Sequence, residues 1–179
     1  DPTHPEREER LLYTQDQFIE EGLLDIEGLV ELKPDLVNIA DVQRVHFCVP
    51  DPWAVMTESH FISAGGAKTI GRAVMDKVVE RGFALVRPPG HHAMRVVHGA
   101  RGFCNVNIEA IMVEHLRQAY GVRRVAIVDT DIASPGIHVL FGMQDAGAGH
   151  SLNDYLRGHC PIEAAAYDLV LLDMRMPDV

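Results

Sequence analysis

Apolar residues recur at helical spacing in two stretches, and a short apolar run follows each stretch. Residues 60–80 carry Ile70, Val74 and Val78 at intervals of four, and residues 108–119 present one mainly apolar helical face. The runs 83–86 and 125–128 are typical of buried strands. Two helix–strand units in succession predict an α/β fold, with a parallel sheet that carries helices on both faces.

The rest of the pattern is less regular. Residues 1–44 predict a loop and then short helices broken by glycine and proline, and the two prolines around residues 51–53 predict a loop. Gly65 and Gly66 inside the first long helix predict close packing or a bend. The tail predicts a strand at 138–143, a turn at 147–150 and a strand at 167–172. We expect a single, incomplete domain over residues 1–179, because a covering helix should follow that last strand.

Composition narrows the class of protein. Apolar residues make up 47% and charged residues 23% of the 179 residues, which is ordinary for a globular domain. The net charge of -10 disfavours direct nucleic-acid binding, and no apolar run reaches the ~20 residues that would span a membrane. Three widely spaced cysteines without a CxxC pair disfavour a disulfide framework and favour a reducing, cytoplasmic setting.

Polar side chains follow both predicted strands. His91 and His92 come after 83–86 on a Pro-Pro-Gly loop, and Asp129 and Asp131 end the run 125–128. Function in parallel sheets collects beyond the carboxyl ends of the strands. The histidines then serve as general base and acid or electrostatic partner, and the carboxylates bind a metal or orient an imidazole. The alternative is a polar loop with two histidines, and carboxylates that only end a strand and cap the next element.

These motifs together resemble the histone deacetylase family, which includes bacterial acetylpolyamine and acetoin-utilisation deacetylases. The order and spacing of Arg-Pro-Pro-Gly-His-His-Ala at 87–93, Gly-Phe-Cys-Asn at 102–105 and Val-Ala-Ile-Val-Asp-Thr-Asp at 125–131 carry the resemblance. Residues 4–7 are also similar to the family's amino-terminal loop, and residues 64–67 to the helix that follows it. The resemblance covers roughly residues 3–132.

The resemblance implies an arginase-like α/β fold and a catalytic zinc that activates water to hydrolyse an N-acetyl amide. It assigns His91 and His92 to base and acid roles, and Asp131 to the zinc. Asp129 would support the first histidine and also bind a monovalent cation. Gly102 and Phe103 would form the wall of a narrow acyl-lysine tunnel. The implied substrates are an acetylated small molecule, such as an acetylpolyamine, or an acetyl-lysine protein.

The chain also departs from the family pattern. The zinc aspartate is followed two residues later by a histidine ligand in the family, and Ala133 holds that position here. His138 is a weak candidate to replace that ligand, and Asp178 is a weak candidate for the later aspartate ligand. No residue before Val179 matches the family's tyrosine, so residues 133–179 are diverged or rearranged. We therefore expect weak zinc binding and impaired activity, or a catalytically dead pocket that binds acyl-lysine or polyamine.

The tail has a rival resemblance. Residues 167–178 are similar to the phosphoacceptor strand of bacterial response-regulator receiver domains, with Asp173 as the acceptor. Receivers also need a downstream lysine, and the only lysines are Lys33, Lys68 and Lys77. The residues leave open whether the tail is a diverged deacetylase strand or a fused fragment.

Overall fold

The computed structural model describes residues 6–129, 157–161 and 169–173. The chain divides into two compact units, Asp1–Ala119 and Tyr120–Val179. The predicted strand at 138–143 and turn at 147–150 lie outside the described residues. None of the described helices is long and apolar enough to cross a membrane.

Helices dominate the first unit. A short 3₁₀ turn at Leu23–Asp25 follows the first helix. The α-helices in chain order are α1 (Glu9–Glu20), α2 (Ile39–Gln43), α3 (Pro52–Val55), α4 (Glu58–Met75) and α5 (Ile108–Tyr120). A loop followed by short helices was predicted for residues 1–44. Short helical elements are found after residue 20, but α1 is a longer helix of 12 residues.

The loop predicted for residues 51–53 is wrong. Asp51 is the N-cap of α3, and its side chain accepts a hydrogen bond from the backbone N–H of Ala54 at 3.1 Å. Pro52 opens the helix, where its missing N–H costs nothing because the first turn leaves that donor unpaired. Proline therefore starts a helix here instead of excluding one.

Helix α4 confirms the predicted helix but ends earlier than residue 80. Lys77 adopts the left-handed conformation with φ 58°, and the backbone N–H of Val78 returns to the carbonyl of Ala73 at 2.9 Å. This reversal closes the helix at Met75. The close packing expected at Gly65 is confirmed, because a Cβ there would lie 1.6 Å from the carbonyl oxygen of Asp35.

The strand predicted at 83–86 is absent from the secondary structure of the first unit. Those residues form no ladder, and Phe83 is 63% exposed, with its ring 6.1 Å from that of Phe18 on α1. The unit's parallel pair is instead β1 (Phe47–Cys48) with β2 (Val96–Val97). Its core includes the fully buried Ile111 and Leu116 of α5.

The second unit contains a second parallel pair. Strand β3 (Val125–Asp129) pairs with β4 (Leu169–Asp173), with Val125 opposite Leu169 and Asp129 opposite Asp173. Strands are therefore present in both predicted runs, and the described part of the second run is Leu169–Asp173. The prediction of an α/β fold with parallel strands is confirmed in both units.

Candidate functional site

His91 and His92 lie side by side on the loop that follows α4. Their ring centroids are 4.4 Å apart at an interplanar angle of 64°, and both side chains are half-buried. Because the loop is free of strand alternation, the two rings share one side of the backbone, as the sequence predicts. Two imidazoles in edge-to-face contact can exchange protons with the same small molecule.

Gly102 supports the second ring of this pair. Its φ is +51°, and a Cβ at this position would lie 2.7 Å from Cδ2 of His92. Only a glycine allows both the backbone conformation and the close approach of the imidazole. Phe103 also has a positive φ, 70°, and its side chain is 43% exposed. Of the two residues assigned to the tunnel wall, Gly102 lies against His92, and Phe103 follows it in the chain.

The backbone before the histidines is anchored from two sides. Ser63 of α4 donates a hydrogen bond from Oγ to the carbonyl of Pro88 at 2.7 Å. A Cβ at Gly90 would lie 2.4 Å from the backbone nitrogen of Ile108, so the loop packs directly on the start of α5. Contacts with α4 and with the start of α5 therefore hold the backbone that leads to the two histidines.

The amino-terminal segment adds a charged anchor. Nε of Arg87 donates to Oε1 of Glu6 at 3.0 Å, and Nη2 of Arg87 reaches the Glu6 carbonyl at 3.3 Å. Arg10 also pairs with Glu6 and donates from Nη2 to the carbonyl of Val86 at 3.0 Å. Residues 6 and 10 therefore hold the loop just before its Pro-Pro-Gly turn.

Two further histidines surround the loop, and the sequence analysis missed both. His46 is 5% exposed, its Nδ1 pairs with the Met94 carbonyl at 2.8 Å, and its Nε2 accepts from the backbone N–H of Asn107 at 2.8 Å. Burial lowers the pKa of His46, and it also lowers the pKa of His60, where an interaction with the Asn105 side chain favours the charged ring. The position of His46 inside the apolar run 45–49 is the sequence feature that could have indicated a buried histidine.

Asn105, from the Gly-Phe-Cys-Asn motif, ties this side of the site to α3. Its Nδ2 donates a short hydrogen bond to the carbonyl of Val55. Cys104, from the same motif, is fully buried. Trp53 is 69% exposed and packs on Phe61 with ring centroids 5.2 Å apart.

The carboxylates assigned to the site lie in the second unit. Asp129 ends β3, and its register partner at the end of β4 is Asp173. The structure therefore brings together two aspartates that the sequence analysis assigned to different resemblances. Asp131, His138 and Asp178 lie outside the described residues. Whether Asp129 supports His91 stays a prediction.

The metal assignment has no counterpart among residues 6–129, 157–161 and 169–173. In these ranges, no group of three or more histidine, cysteine, aspartate or glutamate side chains is arranged so that it could hold a metal ion. A catalytic zinc needs about three protein ligands. The resemblance assigns Asp131 to the zinc, and this residue and the two further candidates, His138 and Asp178, all lie outside the described residues.

Comparison with known proteins identifies close relatives. Residues 53–136 match the histone deacetylase domain. A probable deacetylase of Archaeoglobus fulgidus is 41% identical over 149 residues, which cover 73% of this chain and 40% of that protein. The polyamine deacetylase HDAC10 of Rattus norvegicus is 44% identical over 81 residues, covering 45% of this chain and 13% of that protein.

A solved structure shares the fold. The crystal structure of the HDA15 HD domain superimposes with a TM-score of 0.59 at 27% sequence identity, covering 70% of this chain and 40% of that chain. This chain therefore spans about 40% of the length of both the archaeal relative and the solved domain.

Proposed function

Because this chain belongs to the histone deacetylase family, we propose that its histidine site acts on N-acetyl amides in a zinc-dependent deacetylase. The observation that carries the proposal is the contact of His91 with His92 at 4.4 Å, with the second ring seated on Gly102. The acetylated compounds implied by the resemblance are acetyl-lysine in a protein and acetylpolyamine. The name of the rat relative, a polyamine deacetylase, agrees with the second of these.

In this proposal, His91 and His92 transfer protons during amide hydrolysis, and Phe103 contacts the alkyl chain of the substrate. Attack on an amide carbonyl needs a group that takes a proton from water and a group that returns one to the leaving amine. His91 and His92 supply two such groups within reach of one substrate. Phe103 offers an exposed aromatic face beside them, which suits the alkyl stem of an acylated amine.

Ala133 carries the second part of the proposal, which is that activity is impaired. The resemblance places a zinc-binding imidazole at this position, and a methyl group cannot coordinate a metal. Each lost ligand weakens both the affinity for the metal and the geometry that makes bound water acidic. We therefore propose weak zinc binding by this chain, with a pocket that still accepts acetylated compounds.

The test measures binding and turnover on the same preparation. We expect an acetyl-lysine peptide to shift the NMR signals of Phe103 and His92 more than the unacetylated peptide does. Hydrolysis with added zinc should be slow, sensitive to a chelator, and abolished by His92→Gln, with the exposed His159→Gln as the matched control. Equal shifts with both peptides would contradict the acetyl-amide pocket. Binding without any zinc-dependent turnover would favour the catalytically dead pocket.

One observation favours a second candidate function for the tail. Asp129 and Asp173 are register partners at the carboxyl ends of two parallel strands, the place where receiver domains keep acceptor and metal-binding carboxylates. A phosphoacceptor role for Asp173 would appear as an 80 Da mass increase on incubation with acetyl phosphate and Mg²⁺. The increase should be lost in Asp173→Asn, and its absence from the unsubstituted chain would contradict the role.

A further inference from the structure

The segment around the histidine pair has an unusual charge for this protein. The chain as a whole has a net charge of -10, but it has no aspartate or glutamate between Glu80 and Glu109. Four arginines fall in the same interval, at positions 81, 87, 95 and 101. The segment that carries the histidine pair is therefore cationic within an acidic protein.

Most of these arginines have no ion-pair partner within the part of the chain that the structure describes. Arg87 is held by Glu6. Among the ion pairs between described residues, none involves Arg81, Arg95 or Arg101. An arginine without a carboxylate partner keeps its full charge and most of its five N–H donors for a ligand.

One of the three arginines lines a cavity. The cavity measures about 300 Å³ and is formed by residues 93, 94, 96–101 and 105. Nη1 of Arg101 lies 2.6 Å from Sδ of Met94, and a thioether is an uncharged, weak acceptor. His98 is a second polar side chain on the wall, and Val96 and Val97 contribute apolar surface.

The cavity begins beside the histidine pair. Its lining residues Ala93 and Arg101 are the chain neighbours of His92 and Gly102, and the His92 ring packs against Gly102. Neither histidine is among the residues that line the cavity. The cavity therefore borders the backbone that positions the His92 ring, at residues 93 and 101.

We propose that this cavity binds the carboxylate of a small anionic N-acetyl compound, of which an N-acetylated amino acid with an apolar side chain is the simplest example. The proposal rests on the proposed function and names its substrate class. The guanidinium fork of Arg101 matches a carboxylate with two parallel hydrogen bonds. The valines suit a short alkyl group, and about 300 Å³ is at the lower end of small-molecule pockets.

The same charges disfavour a polyamine. An acetylpolyamine would bring further ammonium groups to a segment that carries three arginines without an ion-pair partner among the described residues, and like charges repel. The substrate class inferred from this cavity therefore differs from that named for the rat relative.

The experiment uses N-acetyl-leucine and N-acetyl-leucinamide, two probes of nearly equal size that differ in charge. Binding to the full chain is followed by NMR of the methyl groups of Met94, Val96 and Val97. We expect both probes to shift these signals, with the acid binding about tenfold more tightly, since a charge-assisted bidentate contact is lost in the amide.

Two arginine variants test the assignment. Arg101→Gln should remove the preference for the acid, and Arg101→Lys should keep part of it because the charge remains without the fork. Arg81→Gln removes the same charge from an exposed position outside the cavity and should leave the preference unchanged. Equal affinity for acid and amide, or equal effects of the 101 and 81 variants, would overturn the proposal.

Turnover separates this inference from the proposed function. Release of acetate from N-acetyl-leucine with zinc present supports both. Hydrolysis of an acetyl-lysine peptide without any preference for the acid probe overturns the inference and leaves the deacetylase proposal standing. Acid-selective binding that depends on Arg101, with no hydrolysis of any acetyl compound, supports the cavity assignment and contradicts the catalytic proposal.

Discussion

Glu6 and Arg87 are 81 positions apart in the chain, yet Nε of Arg87 donates a hydrogen bond to Oε1 of Glu6 at 3.0 Å. Their side chains are only 12% and 24% exposed, so solvent screens the pair weakly. Since Arg87 stands directly before the Pro-Pro-Gly-His-His run, this contact ties the amino-terminal segment to the candidate site.

Glu6→Gln should therefore loosen the histidine loop. We expect a loss of about 2 kcal/mol in the free energy of unfolding, because a partly buried guanidinium is left without its carboxylate. The ring signals of His91 and His92 should shift in NMR spectra at fixed pH. Glu9→Gln is the control, since Glu9 and Arg7 form an exposed pair at 3.9 Å that should contribute under about 0.5 kcal/mol. A Glu6 variant that is as stable as the Glu9 variant would contradict the anchoring role.

Gly102→Ala should displace the His92 ring. The added Cβ would lie 2.7 Å from Cδ2 of His92, and the residue would also be strained at φ +51°. Gly22→Ala is the control, because Gly22 has φ +67° with no atom within 4 Å of an added Cβ. Urea unfolding should show about 1 kcal/mol of strain in both variants and a further loss at residue 102. The His92 signals should move only in the Gly102 variant, and equal effects in both would show that the imidazole does not rest on this glycine.

The first unit should lose stability in mild acid. Burial lowers the pKa of His46 below its ordinary value of 6.5, although carbonyls of Met94 and Arg95 favour the charged form. The unfolded chain then binds more protons than the folded chain as the pH falls below 6.5. The stability from the neutral ring is complete above pH 6.5 and is lost as the pH falls through the lowered pKa, by up to about 1.4 kcal/mol per pH unit.

Urea denaturation at pH 7.5, 6.5 and 5.5 measures this slope. His46→Gln should reduce the dependence of stability on pH. His60, whose pKa burial also lowers, should keep part of the slope in the His46 variant. A His46 variant with the full slope of the unsubstituted chain would place the acid sensitivity elsewhere.

Ala133→His should strengthen zinc binding. The resemblance assigns this position to an imidazole ligand, and one added ligand improves both contact and geometry, so we expect at least about a tenfold gain in affinity. Competition with a chromophoric chelator measures the affinity. Ser134→His places the same ring one position further on and serves as the control. An equal gain in both variants would mean that the motif does not define the ligand position.

The sequence by itself determined the elements that depend on local pattern. The periodic apolar face of α5 and the apolar runs of β3 and β4 give elements of the predicted type at the predicted places. The adjacency of His91 and His92 was equally local, because two neighbours on a loop without strand alternation can share a side. The motifs around them identified the family, since residue order and spacing are properties of the chain alone.

Tertiary structure decided what depends on contacts between distant residues. The run 83–86 has the composition of a strand but pairs with nothing in its unit, and the ladder forms between β1 and β2, which are two residues long and have no periodicity to read. The partners of Arg87 and His46 also come from 81 and 61 positions away. Side-chain charge and burial depend on such neighbours, so only the folded chain shows that Arg87 is neutralised while Arg101 lines a cavity with no carboxylate partner among the described residues.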